Sequence, residues 1–185
     1  MQDGYTLFDT AVGVCGLAWR AEPAGRAARI VGLRLPGEDP DRAGREPAER
    51  GTHAAPPAPP TVHAVIDRIV ALLAGGADDL TDVDVDLDGR PAFDRAVWAV
   101  TRAIPPGQTL TYGDVAARVG APGSARGVGQ ALGRNPVPVI VPCHRVVAAG
   151  GHTGGFSAPG GVATKQRILA IEAAHTPDTL ALFGR

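Results

Sequence analysis

The chain has 185 residues but only two cysteines, Cys15 and Cys143, one methionine, and aromatic side chains at 4% of positions. Two thiols make at most one bridge, which excludes a disulfide-stapled scaffold and leaves a free thiol as the expectation for each. No apolar run approaches the roughly 20 residues that a membrane-crossing helix needs. The opening MQDGYTLFDT lacks the cationic and apolar segment of an export signal. These absences predict a cytoplasmic protein with no membrane partner. Asp84, Asp86, Asp88 and Gly89 copy the start of a calcium loop, yet Arg95 stands where the twelfth-position glutamate belongs. Val83, Val85 and Leu87 alternate with the aspartates as on a strand with one wet face, so no metal is expected there.

What is present is unevenly placed. The net charge of −1 divides into 8 Lys and Arg against 15 Asp and Glu over residues 1–89, and 10 against 4 over residues 90–185. An acidic half joined to a basic one predicts that only the C-terminal part meets a polyanion, although charge fixes neither fold nor partner. A chain of this length buries a sufficient core as one domain or two small ones.

YTLFDTAVGVCGLAWR and ARIVGLRL read as short strands around a turn, together a small antiparallel sheet. Pro36 to Pro60 is rich in charge and proline with almost nothing to bury, the composition of an unstructured loop. Val62, Val65, Ile66, Ile69, Val70 and Leu73 recur at helical spacing from about Thr61 to Gly75, so a helix should cover the sheet. Phe93, Val97, Val100 and Ile104 line one face of a second helix that Pro105 ends. Thr111 and Asp114 form a capping-box start, the turn APG follows, and Ser124 opens ARGVGQALGR: the outline of a helix-turn-helix. Gly127, Gly129 and Gly133 each cost that last helix on the order of 1 kcal/mol relative to alanine. They imply a bare surface, facing either a neighbouring helix or a ligand.

VPVIVPCHRVV, Val137 to Val147, sets a cysteine, a histidine and an arginine inside an apolar, β-branched run. A cysteine reacts as its thiolate, so a reactive one needs a base or a positive neighbour. Adjacent side chains on an extended strand point to opposite faces, so Cys143 and His144 would need a bend at Pro142 or a bridging water. In the helix TKQRILAIEAAH, Glu172 can face inward beside Ile168, Leu169 and Ile171, where it would orient the imidazole and favour its cationic form. On the residues alone, a structural Cys-His pair competes with a Cys-His-Glu relay. Cys15, among apolar neighbours, is a core thiol.

NPVPVIVPCHRVV resembles the active-site signature of the O6-alkylguanine-DNA alkyltransferases, which transfer an alkyl group from guanine to their own cysteine. The likeness extends over FDRAVWAVTRAIPPGQTLTYGDVAARVGAPGSARGVGQALGR and over FDTAVGVCGLAW with RIVGLRL, most of the chain outside Pro36 to Pro60. It implies an α+β fold. An N-terminal antiparallel-sheet-plus-helix domain of ribonuclease H-like type would span 1–89. A mostly helical, winged-helix-like domain carrying the helix-turn-helix would span 90–185.

The resemblance further implies that Cys143 accepts the alkyl group, that His144 is its base through a water, that Glu172 orients His144, and that Asn135 ties the preceding turn. It implies DNA contacts from Ser124, Ala125, Arg126, Gly127, Gly129, Arg134 and Tyr112, with Arg126 holding the place of a base extruded through the minor groove. Tyr112, Arg145, Val146, Phe156 and Ser157 would make the base pocket, Ser157 contacting the oxygen that loses its alkyl group. The implied partner is double-stranded DNA bearing O6-alkylguanine or O4-alkylthymine, met by a monomer of bacterial type without cofactor or metal. Cys15 has no second cysteine for the zinc site of some relatives. The sequence departs from the common pattern at Phe156, usually tyrosine, at Gly127, usually alanine, and in SAPGGVATK, two residues longer than usual in the loop that walls the pocket. Rivals to this reading are a lesion-binding protein without chemistry, a helix-turn-helix transcription regulator and a cysteine hydrolase. Cys143 argues against the first, and the glycine-rich helix, poor in base-reading side chains, against the second. No oxyanion hole is identifiable for the third.

Overall fold

The computed structural model describes residues 3–22, 27–37 and 57–173. Most of the expected loop between Pro36 and Pro60 lies outside these residues. The stretch Tyr5 to Arg20, read as one strand, folds back on itself: β1 (Asp3–Thr10) and β2 (Gly13–Arg20) form a hairpin, and β3 (Arg29–Arg34) adds antiparallel to β2. The reversal is local chemistry. The Thr10 hydroxyl donates to the Gly13 carbonyl at 2.6 Å and accepts from the Val12 amide at 3.2 Å, while Gly13 takes a φ of 123° that side chains rarely adopt. On β2 the period of two buries Cys15, Leu17 and Trp19 on one face.

The outer edge of β3 is answered by two distant segments. Ile30 donates to the Asp84 carbonyl at 2.9 Å and accepts from the Asp86 amide at 2.8 Å, and the Leu33 amide donates to the Pro136 carbonyl at 2.9 Å. The expected strand Val83 to Leu87 is therefore reduced to a single parallel bridge at Val85. Its alternation survives: Val83 and Val85 are buried, and the aspartates meet arginines, Asp88 with Arg29 at 2.9 Å and Asp86 with Arg20.

Helix α1 (Pro60–Leu73) starts one residue before the expected Thr61 and packs its Val62, Ile66, Ile69, Leu72 and Leu73 stripe towards β1 and α5 (Gly161–Ala173). Helices α2 (Ala92–Arg102), α3 (Tyr112–Arg118) and α4 (Ala125–Gly133) touch one another in all three pairs. The Trp98 indole donates to the Ala131 carbonyl at 3.0 Å, joining α2 to α4. The capping box forms as expected: Thr111 accepts from the Asp114 amide at 3.1 Å and its own amide donates to Asp114 at 2.9 Å. Ser124 precedes α4 but makes no side-chain cap bond. Short strands β4 (Leu110–Thr111) and β5 (Val146–Val147) pair in parallel.

The architecture is α+β, as the sequence implied. Arg102, at the end of α2, donates to the carbonyls of Leu80, Thr81 and Val83, and the buried apolar residues run without a break from Cys15 and Leu17 to Val141 and Ile168. Residues on both sides of position 89 thus share one core. Ile69 is fully buried in it. Replacing it with alanine should lower stability by about 2–5 kcal/mol, read as a shift in the urea midpoint at unchanged slope.

Candidate active site

The cysteine sits on a turn that Asn135 shapes. The Asn135 side chain accepts from the Val137 amide at 3.0 Å and donates to the Val141 carbonyl at 2.8 Å, bridging a loop in which Val139 takes a φ of 77°. Cys143, His144 and Arg145 then form one turn of 3-10 helix rather than the expected extended strand, with the Arg145 amide bonded to the Pro142 carbonyl at 2.9 Å. Proline cannot donate to a ladder, and its ring biases the residue before it, which makes Pro142 a natural place for the chain to leave extended structure.

Glu172 of α5 collects the neighbours of Cys143 around one carboxylate. His144 Nε2 lies 3.0 Å from Oε1, Arg145 Nη2 donates to Oε1 at 2.7 Å, Arg145 Nε reaches both oxygens at 3.1 Å, and the Gly107 amide donates to Oε2 at 3.4 Å. Arg145 also donates to the Ile104 carbonyl at 2.7 Å, so the segment just after α2, the cysteine turn and α5 meet here. Glu172 is 3% exposed, His144 and Arg145 0%. Removing one partner from such a set strands a buried charge and typically costs about 3–5 kcal/mol. Burial alone would raise the Glu172 carboxyl, but His144 and Arg145 outweigh it and hold Glu172 ionised, pulled down to about 2. For His144 the balance runs the other way. Desolvation exceeds the attraction of Glu172, so the imidazole is pushed towards its neutral form, not towards the cation that the sequence suggested. Its Nδ1 is buried without a protein hydrogen-bond partner.

Cys143 opens onto a cavity of about 560 Å³ lined along α4 by Arg126, Gly129, Gln130 and Gly133, and across from it by Tyr112, Phe156 and Ser157. Tyr112 is clamped: a Cβ on Gly129 would touch its ring at 3.7 Å, a Cβ on Gly154 would come within 2.9 Å, and its hydroxyl donates to the Gly155 carbonyl at 3.3 Å. Burial pushes the Cys143 thiol up, opposed by a hydrogen bond from Asn135 and by the charge of Lys165. Lys165 is fully buried, donating to the carbonyls of Val146 at 2.6 Å and Gly155 at 3.3 Å, with its Nζ 5.7 Å from the Tyr112 ring centre. Burial lowers its ammonium to about 8 against the pull of Cys143. The site can hold a base-sized ligand against a sulfur that neighbouring groups help to ionise.

The structure brings together Cys143, Tyr112, Ala125, Arg126, Gly129, Phe156 and Ser157 around that cavity, with His144, Glu172 and Asn135 directly behind. Five expected residues, Ser124, Gly127, Arg134, Arg145 and Val146, do not line it. Arg145 lies in the Glu172 cluster and Val146 is buried with its carbonyl on Lys165, so neither lines the pocket. Arg134, expected on DNA, pairs with Asp94 at 2.7 and 2.8 Å, because the buried carboxylate of α2 requires a cation. The glycines of α4 divide between the two possibilities left open for them: Gly129 and Gly133 line the cavity, whereas Gly127 faces Phe93 of α2. Gln130 and Lys165 were not anticipated. Lys165, Ile168, Leu169 and Glu172 form an i, i+3, i+4, i+7 stripe, and two charges on a buried stripe were the available signal.

Residues 92–174 match the family model described as 6-O-methylguanine DNA methyltransferase, DNA binding domain. A methylated-DNA–protein-cysteine methyltransferase of Mycolicibacterium paratuberculosis is 37% identical over 180 residues, 97% of this chain and 98% of that protein. This chain belongs to the methylated-DNA–protein-cysteine methyltransferase family. Two solved members from Mycobacterium tuberculosis agree in fold: OGT in complex with DNA, with a TM-score of 0.70 and 35% identity over 97% of this chain and 99% of that one, and O6-methylguanine methyltransferase, with a TM-score of 0.72 and 34% identity over 99% and 100%.

The buried cluster gives this methyltransferase a definite pH response. The folded protein keeps His144 neutral while the unfolded chain takes up its proton near the ordinary value of 6.5, so stability present above that pH is lost as pH falls. Glu172, ordinarily near 4.5 and here about 2, adds a second loss below about pH 4.5. Urea midpoints should therefore decline between pH 7 and pH 5.5, and His144→Asn should remove that first decline. A wild-type midpoint constant over this interval would show that His144 is not held neutral.

Proposed function

We propose that this chain repairs DNA by taking an alkyl group from O6-alkylguanine, and by the same route from O4-alkylthymine, onto Cys143, one lesion for each molecule. The observation that carries the reading is the position of Cys143: on the wall of a cavity large enough for a base, beside the glycine-bearing face of α4, backed by the His144–Glu172 pair. His144, held by Glu172 through Nε2, uses Nδ1 to take the thiol proton through a water. The thiolate attacks the alkyl carbon in line, the carbon–oxygen bond breaks with its electron pair left on oxygen, and guanine takes up one proton, matched by the release of the one His144 accepted. Lys165 adds positive charge beside the sulfur as it ionises. The product is a thioether, from which water releases nothing, so the protein is consumed. No metal, nucleotide or redox partner enters the balance.

Access to a stacked base requires extrusion, at a cost of a few kcal/mol. The exposed Arg126 guanidinium enters the stack from the minor groove, and the small residues of α4 let its backbone approach. Tyr112 presses on the backbone and meets the base, and Ser157 meets the oxygen. The basic residues 90–185 supply sequence-independent attraction to phosphates, as a lesion of any context requires, and the acidic residues 1–89 form the supporting N-terminal domain. The protein acts as a monomer in the cytoplasm; among the described residues no helix is long and apolar enough to cross a membrane. A lesion binder without chemistry would have no use for a cysteine set against a buried base.

Incubation with a duplex containing O6-methylguanine should add one methyl group to Cys143, seen by intact mass and peptide mapping. Repair continuing through many turnovers, or with Cys143 unmodified, would overturn the reading. Arg126→Ala should slow transfer from duplex DNA by about tenfold or more, in keeping with the cost of extrusion, and leave transfer from free O6-benzylguanine nearly unchanged. Equal slowing on both substrates would remove Arg126 from base extrusion.

A further inference from the structure

Along α4 the wall of the cavity beside Cys143 is made of Ala125, Arg126, Gly129, Gln130, Leu132 and Gly133. Of these, only Arg126 and Gln130 carry side chains that form hydrogen bonds. Both are exposed, and their four-residue spacing puts them on one face of the helix, about 6 Å apart along its axis. Among the described residues the Gln130 amide has no hydrogen-bond partner, whereas Arg134, at the end of the same helix, is held by Asp94. Gly129 beside Gln130 has no side chain to keep a second body away. A free amide therefore stands on the smooth face of α4, one helical turn beyond Arg126.

We propose that Gln130 reads the base pairs beside the lesion and makes repair faster where they are G·C. The proposal rests on the repair reading above, in which Arg126 enters the stack and α4 lies in the minor groove. Base pairs stack about 3.4 Å apart, so a residue one turn beyond Arg126 meets pairs within about two steps of the extruded nucleotide. In the minor groove every pair offers acceptors, but only guanine adds a donor, its 2-amino group. The glutamine amide both donates and accepts. It makes one bond to an A·T pair, from Nε2 to a ring acceptor. To a G·C pair it makes two, because Oε1 also accepts from the guanine 2-amino group. Arg126 cannot draw this distinction, since a guanidinium only donates. Gln130 is thus a specificity-determining residue on a helix that otherwise approaches any sequence alike.

The test measures single-turnover methyl transfer to Cys143 from duplexes in which the two pairs on each side of O6-methylguanine are G·C, inosine·C, A·T or 2,6-diaminopurine·T. Inosine is guanine without the 2-amino group, and diaminopurine is adenine with it. Wild type should react about threefold or more faster with G·C than with inosine·C, and with diaminopurine·T than with A·T, the worth of one hydrogen bond. Duplex strength alone gives the reverse order, because the 2-amino group adds a pairing bond and makes extrusion harder. Gln130→Leu fills similar space without polar atoms and should bring both ratios to one or below. Gln130→Ala should do the same, and decides the matter if the leucine variant does not melt cooperatively. Ratios of one or below in wild type, or ratios unchanged in a folded variant, overturn the proposal and leave the repair reading intact. No transfer to Cys143 from any of the four duplexes defeats the repair reading itself.

Discussion

The site depends on a carboxylate removed from water. Glu172, on α5, binds the turn after α2 at Gly107 and the turn bearing the cysteine through hydrogen bonds of 2.7 to 3.4 Å, and Arg145 extends the cluster to the Ile104 carbonyl. In so dry a place an ion survives only with its partners in position, so the cluster is either complete or costly. Completeness fixes the plane of His144 and keeps its second nitrogen pointed away from Glu172's claim, and the position of Cys143 follows from the turn it shares with Arg145. Electrostatics therefore does here what a sheet does elsewhere: it holds a short irregular segment in one shape.

The same cluster assigns the work of its two basic members. Arg145 keeps Glu172 charged and is used up in doing so, which frees the imidazole to remain neutral and able to accept a proton. A neutral base beside a buried thiol is the useful resting state, since a cationic imidazole has no lone pair to offer. Lys165 adds a positive charge, weakened by burial, that favours the ionised sulfur. In the proposed reaction the thiol loses its proton to one neighbour and gains electrostatic support from another.

Short-range patterns were legible in the sequence. The capping box at Thr111, the amphipathic stripe of α1 and the poor helix formers of α4 are all read within a dozen residues, and the structure realises each. The cysteine signature also identified Cys143, His144 and Glu172 as neighbours, because their motif is specific. What stayed hidden depends on partners far along the chain. Arg134 and Arg145 carry the charge expected of DNA or base contacts, yet Asp94 and Glu172, buried on other helices, claim them. The hairpin at Ala11–Val12 was missed because its turn rests on a threonine hydroxyl and one glycine, a weaker punctuation than paired Gly and Pro. The alternating aspartates predicted a full strand, but only Val85 finds a partner on β3.

The way β3 ends the sheet has a consequence for the molecule among its own kind. A terminal strand with unspent amides is an invitation to self-association, since another chain can extend the ladder. Here Ile30 and Leu33 spend theirs on Asp84 and Pro136 of the same chain. The bond that steadies the approach to the cysteine thereby also stops the sheet from recruiting a stranger on that side.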